Sequence, residues 1–368
     1  MSTAPPYYPP PPNHAPRHQS GDGAPPPQPP APVRRKRRGP RIVLGVIAGF
    51  VILALLAAVG YLWSLSRAYD GNVQTFAATE DGRDPVFPPE EERPAPVEDG
   101  SMNILLLGSD EGGGSGENED LPRVPGGGRS DTMMLVHLPA DRDSVQVISI
   151  PRDLWVEIPG GYGWHKINAG LALAPEGPWL TTATVESLFD VRVDHVAAID
   201  LEGFTSLVDA MGGVTVNNTY PTEFTQYGYT FNQGEIHMDS GMAEAFVRHR
   251  KSFPEGDLQR IRNQQAFIRA VIRQAASGSN LANPVRVHDM VSTFAPHLIV
   301  DEELDSSTAA GLLWEFRGAV DNIQFATLPN GGSSWSDDGQ WIFVQDQAAM
   351  EEIRQALRDG TLEEYLSR

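Results

Sequence analysis

The 368-residue chain has no cysteine. That excludes disulfides, thiol nucleophiles and thiolate metal sites, and leaves oxygen and imidazole as the available metal donors. Positive charge is also scarce: 28 Lys/Arg stand against 48 Asp/Glu, a formal net charge of −20. The deficit deepens along the chain. Seven basic residues (Arg17, Arg34, Arg35, Lys36, Arg37, Arg38 and Arg41) and one acid, Asp22, precede residue 64, which leaves 21 basic against 47 acidic residues, a net of −26. A domain of that sign repels polyanions and argues against nucleic acid as a partner. No internal repeat is found.

Apolar residues are sparse at the start. Residues 1–41 are rich in proline and polar residues, too poor in apolar surface to offset ordering entropy, and end in the basic cluster of residues 34–41. They read as a disordered cytoplasmic tail. Residues 42–63 then carry no charge at all, and about 20 apolar residues suffice to cross a bilayer as a helix. Tyr61 and Trp63 stand where an interfacial aromatic belt belongs, and the preceding basic cluster puts the tail in the cytoplasm by the positive-inside rule. The predicted product is a single-pass cell-membrane protein with its C-terminal domain outside. A cleaved signal peptide is the competing reading; the long tail, the long core and the lack of an A-x-A site weigh against it. Residues 64–101, acidic and proline-rich, read as an extracytoplasmic linker. Residues 102–368 read as one catalytic domain with no further domain after it.

Within that domain the run 103–107 (NILLL) is apolar without alternation, as in a strand buried on both faces. Further strands are predicted over 132–138, 144–150, 195–199 and 214–216. Helices are predicted over 180–189 and 204–211, from Asp257, and over 347–357. Gly212-Gly213 marks a helix stop, and Asp257 is expected near its helix start as a cap. Alternating helices and buried strands give an α/β class, a mixed sheet with helices on both faces.

Two acids flank strands. Asp110 follows the first, and Asp131 precedes the next. If those strands are neighbours, both carboxylates reach one point at the sheet edge, and hard oxygen donors without thiolate suit Mg²⁺. Read singly, Asp110 is a turn residue and Asp131 a cap. Four arginines are conspicuous in so acidic a domain: Arg152, Arg248, Arg250 and Arg260. A guanidinium matches phosphate oxygens in fork geometry and stays charged at physiological pH, so together they suggest a diphosphate site. Singly, Arg152 is a surface ion pair with Asp153, and Arg248 and Arg250 are a solvated helix end. Asp257, beside Arg260, is the chosen base for activating a hydroxyl, with His165 and His249 as rivals. His165 reads as ordering a loop, and His249, between two arginines, as held neutral by like charge.

The series NILLLGSD, RSDTMML, SIPRDLWV, HKIN, DLEGFTSLVDAMGGV and FVRHR…DLQRIRNQQ resembles, in order from about Met102 to Leu357, the LytR–CpsA–Psr family of cell-wall ligases. The resemblance implies a three-layer α/β/α sandwich with an apolar pocket for a polyprenyl chain. It also implies Mg²⁺-dependent transfer of a glycopolymer, such as arabinogalactan or a teichoic-acid-like polymer, from a polyprenyl-diphosphate carrier to peptidoglycan through a phosphodiester. Carried over by position, Asp110 and Asp131 match its metal-binding acids. Arg152, Arg248, Arg250 and Arg260 match its diphosphate contacts, Asp257 matches an acid near the breaking bond, and Arg129 is a further contact. Gly112 stands where the family usually carries arginine, and Leu171–Gly177 lacks its paired glycine. A polyprenyl-diphosphate diphosphatase and a non-catalytic membrane regulator remain the alternatives.

Overall fold

The fold, obtained as a computed structural model, is described for residues 39–76, 84–97, 99–109, 130–173 and 178–368. Helix α1 (Gly39–Asp70) contains the run 42–63. The tail before Gly39 and the side chains of residues 39–52 lie outside the described residues. Among the described residues no helix is long and apolar enough to cross a membrane. The chain divides into one unit ending at Leu56 and another spanning Ala57–Arg368.

After α1 come β1 (Gln74–Thr75), β2 (Met102–Ser109), β3 (Ser130–Leu138) and β4 (Val145–Ser149), then a hairpin of β5 (Trp155–Ile158) and β6 (Gly163–Lys166). Helices α2 (Ala169–Leu173) and α3 (Trp179–Phe189) lead to β7 (His195–Asp200) and α4 (Leu201–Ala210). Two small ladders follow, formed by β8 (Val214–Asn218), β9 (Phe224–Gln226), β10 (Tyr229–Phe231) and β11 (Gly234–Met238). Next are α5 (Ser240–Arg248), the long α6 (Asp257–Ala275), α7 (Gly278–Leu281), α8 (Pro284–Phe294), β12 (Leu298–Val300), α9 (Ser306–Glu315) and β13 (Ile323–Thr327). The hairpin β14 (Asn330–Trp335) and β15 (Trp341–Gln345), then α10 (Gln347–Arg358) and α11 (Leu362–Leu366), close the chain.

Seven strands make the central sheet in the order β1-β12-β7-β2-β3-β4-β13. It is mixed, as expected: β2 runs parallel to β7 and antiparallel to β3. Its two faces are covered differently. On one, Leu105, Leu107, Leu135 and Ile148 join Leu180, Leu188 and Phe189 of α3 and Met350, Ile353 and Leu357 of α10 in a large core. Each fully buried side chain of this kind contributes roughly 1.5–3 kcal/mol. On the other face lie α4, α5 and α6, so the sandwich has three layers. Phe224, Phe231, Phe246 and Phe267 form a second core under the β8–β11 ladders, which the reading of the sequence did not anticipate.

Local chemistry sets several helix starts. Asp239, Asn283, Asp305 and Asp346 cap α5, α8, α9 and α10, each accepting a backbone N–H of the first turn. Beyond α4 the chain turns through Gly212 and Gly213, both at positive φ, as the paired glycines predicted. Helix α6 departs from expectation. Its N-cap is Gly256, at φ 53°, and Asp257 is the first helical residue rather than the cap. The described residues of the segment 64–101 are packed rather than extended as a free linker. Residues 64–70 are helical, β1 pairs with β12, and Phe76 and Val86 are buried in the large core. Arg93 is held against the buried Glu186 at 2.8 Å. This segment carries enough apolar side chains at wide spacing to pack, despite its acidic average.

Candidate active site

Asp257 and Arg260 meet because they are three apart on α6, one turn of helix. Arg260 Nη2 lies 2.8 Å from Asp257 Oδ1, and both side chains are nearly inaccessible to solvent. The loop after β4 brings Arg152 to the same place, with its Nε 3.8 Å from Asp257 Oδ1 and 3.7 Å from Asp153 Oδ2. Lys166 of β6 donates to Asp153 Oδ1 at 2.8 Å. The result is a chain of alternating charges, Lys166, Asp153, Arg152, Asp257 and Arg260, assembled from three separate segments. Neither buried oxygen of Asp257 accepts a hydrogen bond from the described residues. Its carboxylate is held by ion pairing with Arg260 and Arg152 on the side of Oδ1.

An apolar pocket of about 350 Å³ opens beside this cluster. Its floor is one face of the sheet: Leu106, Gly108, Thr132, Met134, Ala197 and Ile199, which are cross-strand partners. Its walls come from α4 (Phe204, Leu207), α6 (Phe267, Ile268, Val271) and Phe294 at the end of α8. Arg248 and Arg260 are the charged members of its lining. A Cβ at position 108 would stand 3.0 Å from that of Thr132, so glycine keeps the floor open where the two strands crowd. Along α6, Arg260, Gln264, Phe267, Ile268 and Val271 follow the helical period, so one stripe runs from charge into apolar surface. An anionic head at the arginines with a tail among the aromatic and aliphatic side chains matches that polarity.

The remaining predicted residues are distributed as follows. Arg248 ends α5 and donates to Glu244 one turn back at 2.8 Å. Arg250 is exposed two residues on, and the structure does not bring it into the cluster. Asp110 and Arg129 lie outside the described residues, as does the side chain of Asp131. The strands they flank are neighbours: Ser109, the last residue of β2, pairs with Ser130, the first of β3. Oxygen donors of the kind expected at those positions suit a hard cation. Among the described residues no cluster of three or more metal-ligating side chains occurs.

Both histidine rivals fall away from the chemistry. His165 Nε2 lies 3.1 Å from Tyr162 O within the β5–β6 hairpin, the loop-ordering role expected. His249 is buried in the second core, stacked on Phe224 at 4.8 Å, with its Nδ1 2.8 Å from Gln226 Oε1. Burial, not the charge of the flanking arginines, lowers its pKa. Three residues escaped the reading of the sequence: Lys166, Gln264 and Thr132. Gln264 was legible in principle, one helical turn beyond Arg260.

Fold and pocket together define a three-layer α/β protein whose apolar pocket carries Arg248 and Arg260 in its lining. The chain belongs to the LytR_cpsA_psr family, whose model matches residues 73–359. It is 31% identical over 316 residues to the polyisoprenyl-teichoic acid–peptidoglycan teichoic acid transferase TagU of Halalkalibacterium halodurans, covering 84% of this chain and 94% of that protein. It is 36% identical over 248 residues to the TagU of Oceanobacillus iheyensis, covering 66% of this chain and 71% of that protein. The crystal structure of B. subtilis TagV shares the fold, with a TM-score of 0.58 at 22% identity over 72% of this chain and 98% of that one.

Proposed function

We propose that this protein is a membrane-anchored phosphotransferase that moves a glycopolymer from a polyprenyl-diphosphate carrier to peptidoglycan, leaving a phosphodiester link. The observation that carries the reading is the junction of two environments: an apolar pocket with Arg248 and Arg260 in its lining, and Arg260 in turn paired with Asp257. A carrier of this class has that same division between a charged diphosphate and a hydrocarbon chain. Ligand pockets span about 300–1,000 Å³, so 350 Å³ accommodates a section of a long prenyl chain rather than all of it. The names of the relatives agree on the class of donor and acceptor.

In this reading Arg152, Arg248 and Arg260 bind the diphosphate and offset the charge that grows on its oxygens as the bond breaks. Arg129 would be a further contact. A sugar hydroxyl of peptidoglycan attacks the phosphorus nearer the polymer. A new P–O bond forms, the bond to the bridging oxygen breaks, and polyprenyl phosphate leaves. Asp257 accepts the hydroxyl proton. Asp110 and Asp131 would hold Mg²⁺, which when bound would neutralise diphosphate charge. The uncharged run 42–63 would anchor the chain in the cell membrane, with the basic tail in the cytoplasm and the domain outside. Anchoring would confine enzyme and carrier to one surface and raise their effective concentration.

The test uses full-length protein in detergent, a radiolabelled polyprenyl-diphosphate saccharide and peptidoglycan, with and without Mg²⁺. Label should pass to peptidoglycan only with Mg²⁺ present. Val271→Trp, which fills the pocket, should abolish donor binding while the circular dichroism spectrum stays native. Release of polyprenyl phosphate at the same rate without acceptor, and no label on peptidoglycan, would establish hydrolysis instead. Wild-type transfer by Val271→Trp would remove the pocket from the mechanism.

A further inference from the structure

One face of the β5–β6 hairpin has no part in the reading above. Leu154, Val156 and Ile158 are buried in the large core, so strand alternation turns Trp155 and Glu157 outward. Register places Lys166 opposite Trp155 and Trp164 opposite Glu157, on that same face. Trp164 is 50% exposed, and Tyr162, in the connecting turn, is 40% exposed. Rings this large are costly to leave in water, and the two indoles share one face of the strand pair, with Tyr162 in the adjoining turn.

Two observations tie the face to the active site. Lys166, paired with Trp155, donates to Asp153 Oδ1 at 2.8 Å, and Asp153 adjoins Arg152 and hence Asp257. The face is thus linked to the charged cluster by a chain of ion pairs through the buried Asp153. It is also braced. Phe343 N of β15 donates to Asp153 O at 2.9 Å, and Gln345 Nε2 donates to Trp155 O at 2.9 Å. The two indoles sit on a strand pair braced along its β5 edge by β15 rather than on a free loop, so less ordering entropy is lost on binding.

The chemistry of the face selects its ligand. Indole faces with a carboxylate and an ammonium between them match a pyranose ring, which offers an apolar C–H face and hydroxyls around its edge. A polyanion is opposed by the acidic domain, and the interleaved Glu157 and Lys166 spoil the face for a lipid. We propose that Trp155, Trp164 and Tyr162, with Glu157 and Lys166, form the acceptor subsite, which stacks sugar units of a peptidoglycan glycan strand beside the arginine–aspartate cluster. This rests on the function proposed above, because it takes the acceptor to be that glycan.

The experiment is calorimetric titration of full-length protein in detergent with glycan-strand tetrasaccharides released from peptidoglycan by muramidase. Wild type should bind. Trp164→Ala, a change at an exposed position, should weaken binding about tenfold, the size of one aromatic contact. Trp164→Phe should retain most of the affinity. In the transfer assay Trp164→Ala should raise the acceptor KM by the same factor with little change in kcat. No binding by wild type, equal binding by Trp164→Ala, or a loss confined to kcat would each overturn the proposal. Glycan binding as expected without any transfer to peptidoglycan would instead remove the function proposed above and leave the saccharide site standing.

Discussion

Replacing Asp257 by asparagine tests the charged cluster most directly. The side chain keeps its shape and loses its charge. Arg260, 2.8 Å away and almost fully buried, and Arg152, 3.8 Å away, then face each other without the anion between them. Removing one member of a buried ion pair costs about 3–5 kcal/mol, because the partner's charge remains desolvated. For a domain of this size that corresponds to roughly 2 °C of Tm per kcal/mol, a fall of about 6–10 °C. Urea denaturation at neutral pH gives the free energy, and a thermal scan gives the Tm. Inorganic pyrophosphate, supplying the missing negative charge, should raise the Tm of Asp257→Asn more than that of wild type. Arg260→Met combined with Asp257→Asn should cost less than the sum of the single changes, with a coupling of about 0.5–3 kcal/mol. A loss under about 1 kcal/mol for Asp257→Asn, with no extra response to pyrophosphate, would refute the argument that these guanidiniums depend on that carboxylate.

Two further outcomes concern stability. Burial lowers the pKa of His137 from 6.5 to about 4, and its Nδ1 lies 2.9 Å from Asn103 Oδ1. Between those values the unfolded chain binds more protons than the folded one. Stability from this group is therefore complete above pH 6.5 and falls as pH drops toward 4, by about 3 kcal/mol in all. Chemical denaturation of wild type and His137→Asn across that range should show the slope in the first and its loss in the second. At Gly213, φ is +92° and an added Cβ would lie 2.9 Å from Met238 O and 2.6 Å from His237 Nε2. Gly213→Ala should cost about 2–4 kcal/mol, from strained backbone and crowding together. Gly212→Ala, at φ +73° in open space, should cost roughly 1–2 kcal/mol. Equal losses at the two positions would show that backbone strain, not the crowding, dominates.

Much of the architecture was legible in the sequence because its causes are local. An uninterrupted apolar run marks a central strand, so β2 could be read at the centre of the sheet, although only Leu105 and Leu107 enter the core and Leu106 lines the pocket instead. Paired glycines after an amphipathic segment end α4, since an L side chain resists positive φ there. The motifs that place the chain in its family are likewise linear, as is the grouping of Asp257 with Arg260 on one turn of helix. The net charge decided that its arginines needed explaining.

What depended on distance in space had no linear signal. Arg152 reaches Asp257 only because the loop after β4 crosses the start of α6, more than a hundred residues on. The side of the sheet that holds the pocket, and the side filled by core, follow from which helices return to which face. His249 and Arg250, adjacent in sequence, part company because one ring enters the second core while the other side chain stays in solvent. Covalent neighbours share a backbone but not a dielectric. The sequence therefore determined which residue types were available for the chemistry, and tertiary packing alone decided which of them share a desolvated site, because burial and Coulomb energy depend on separation through space.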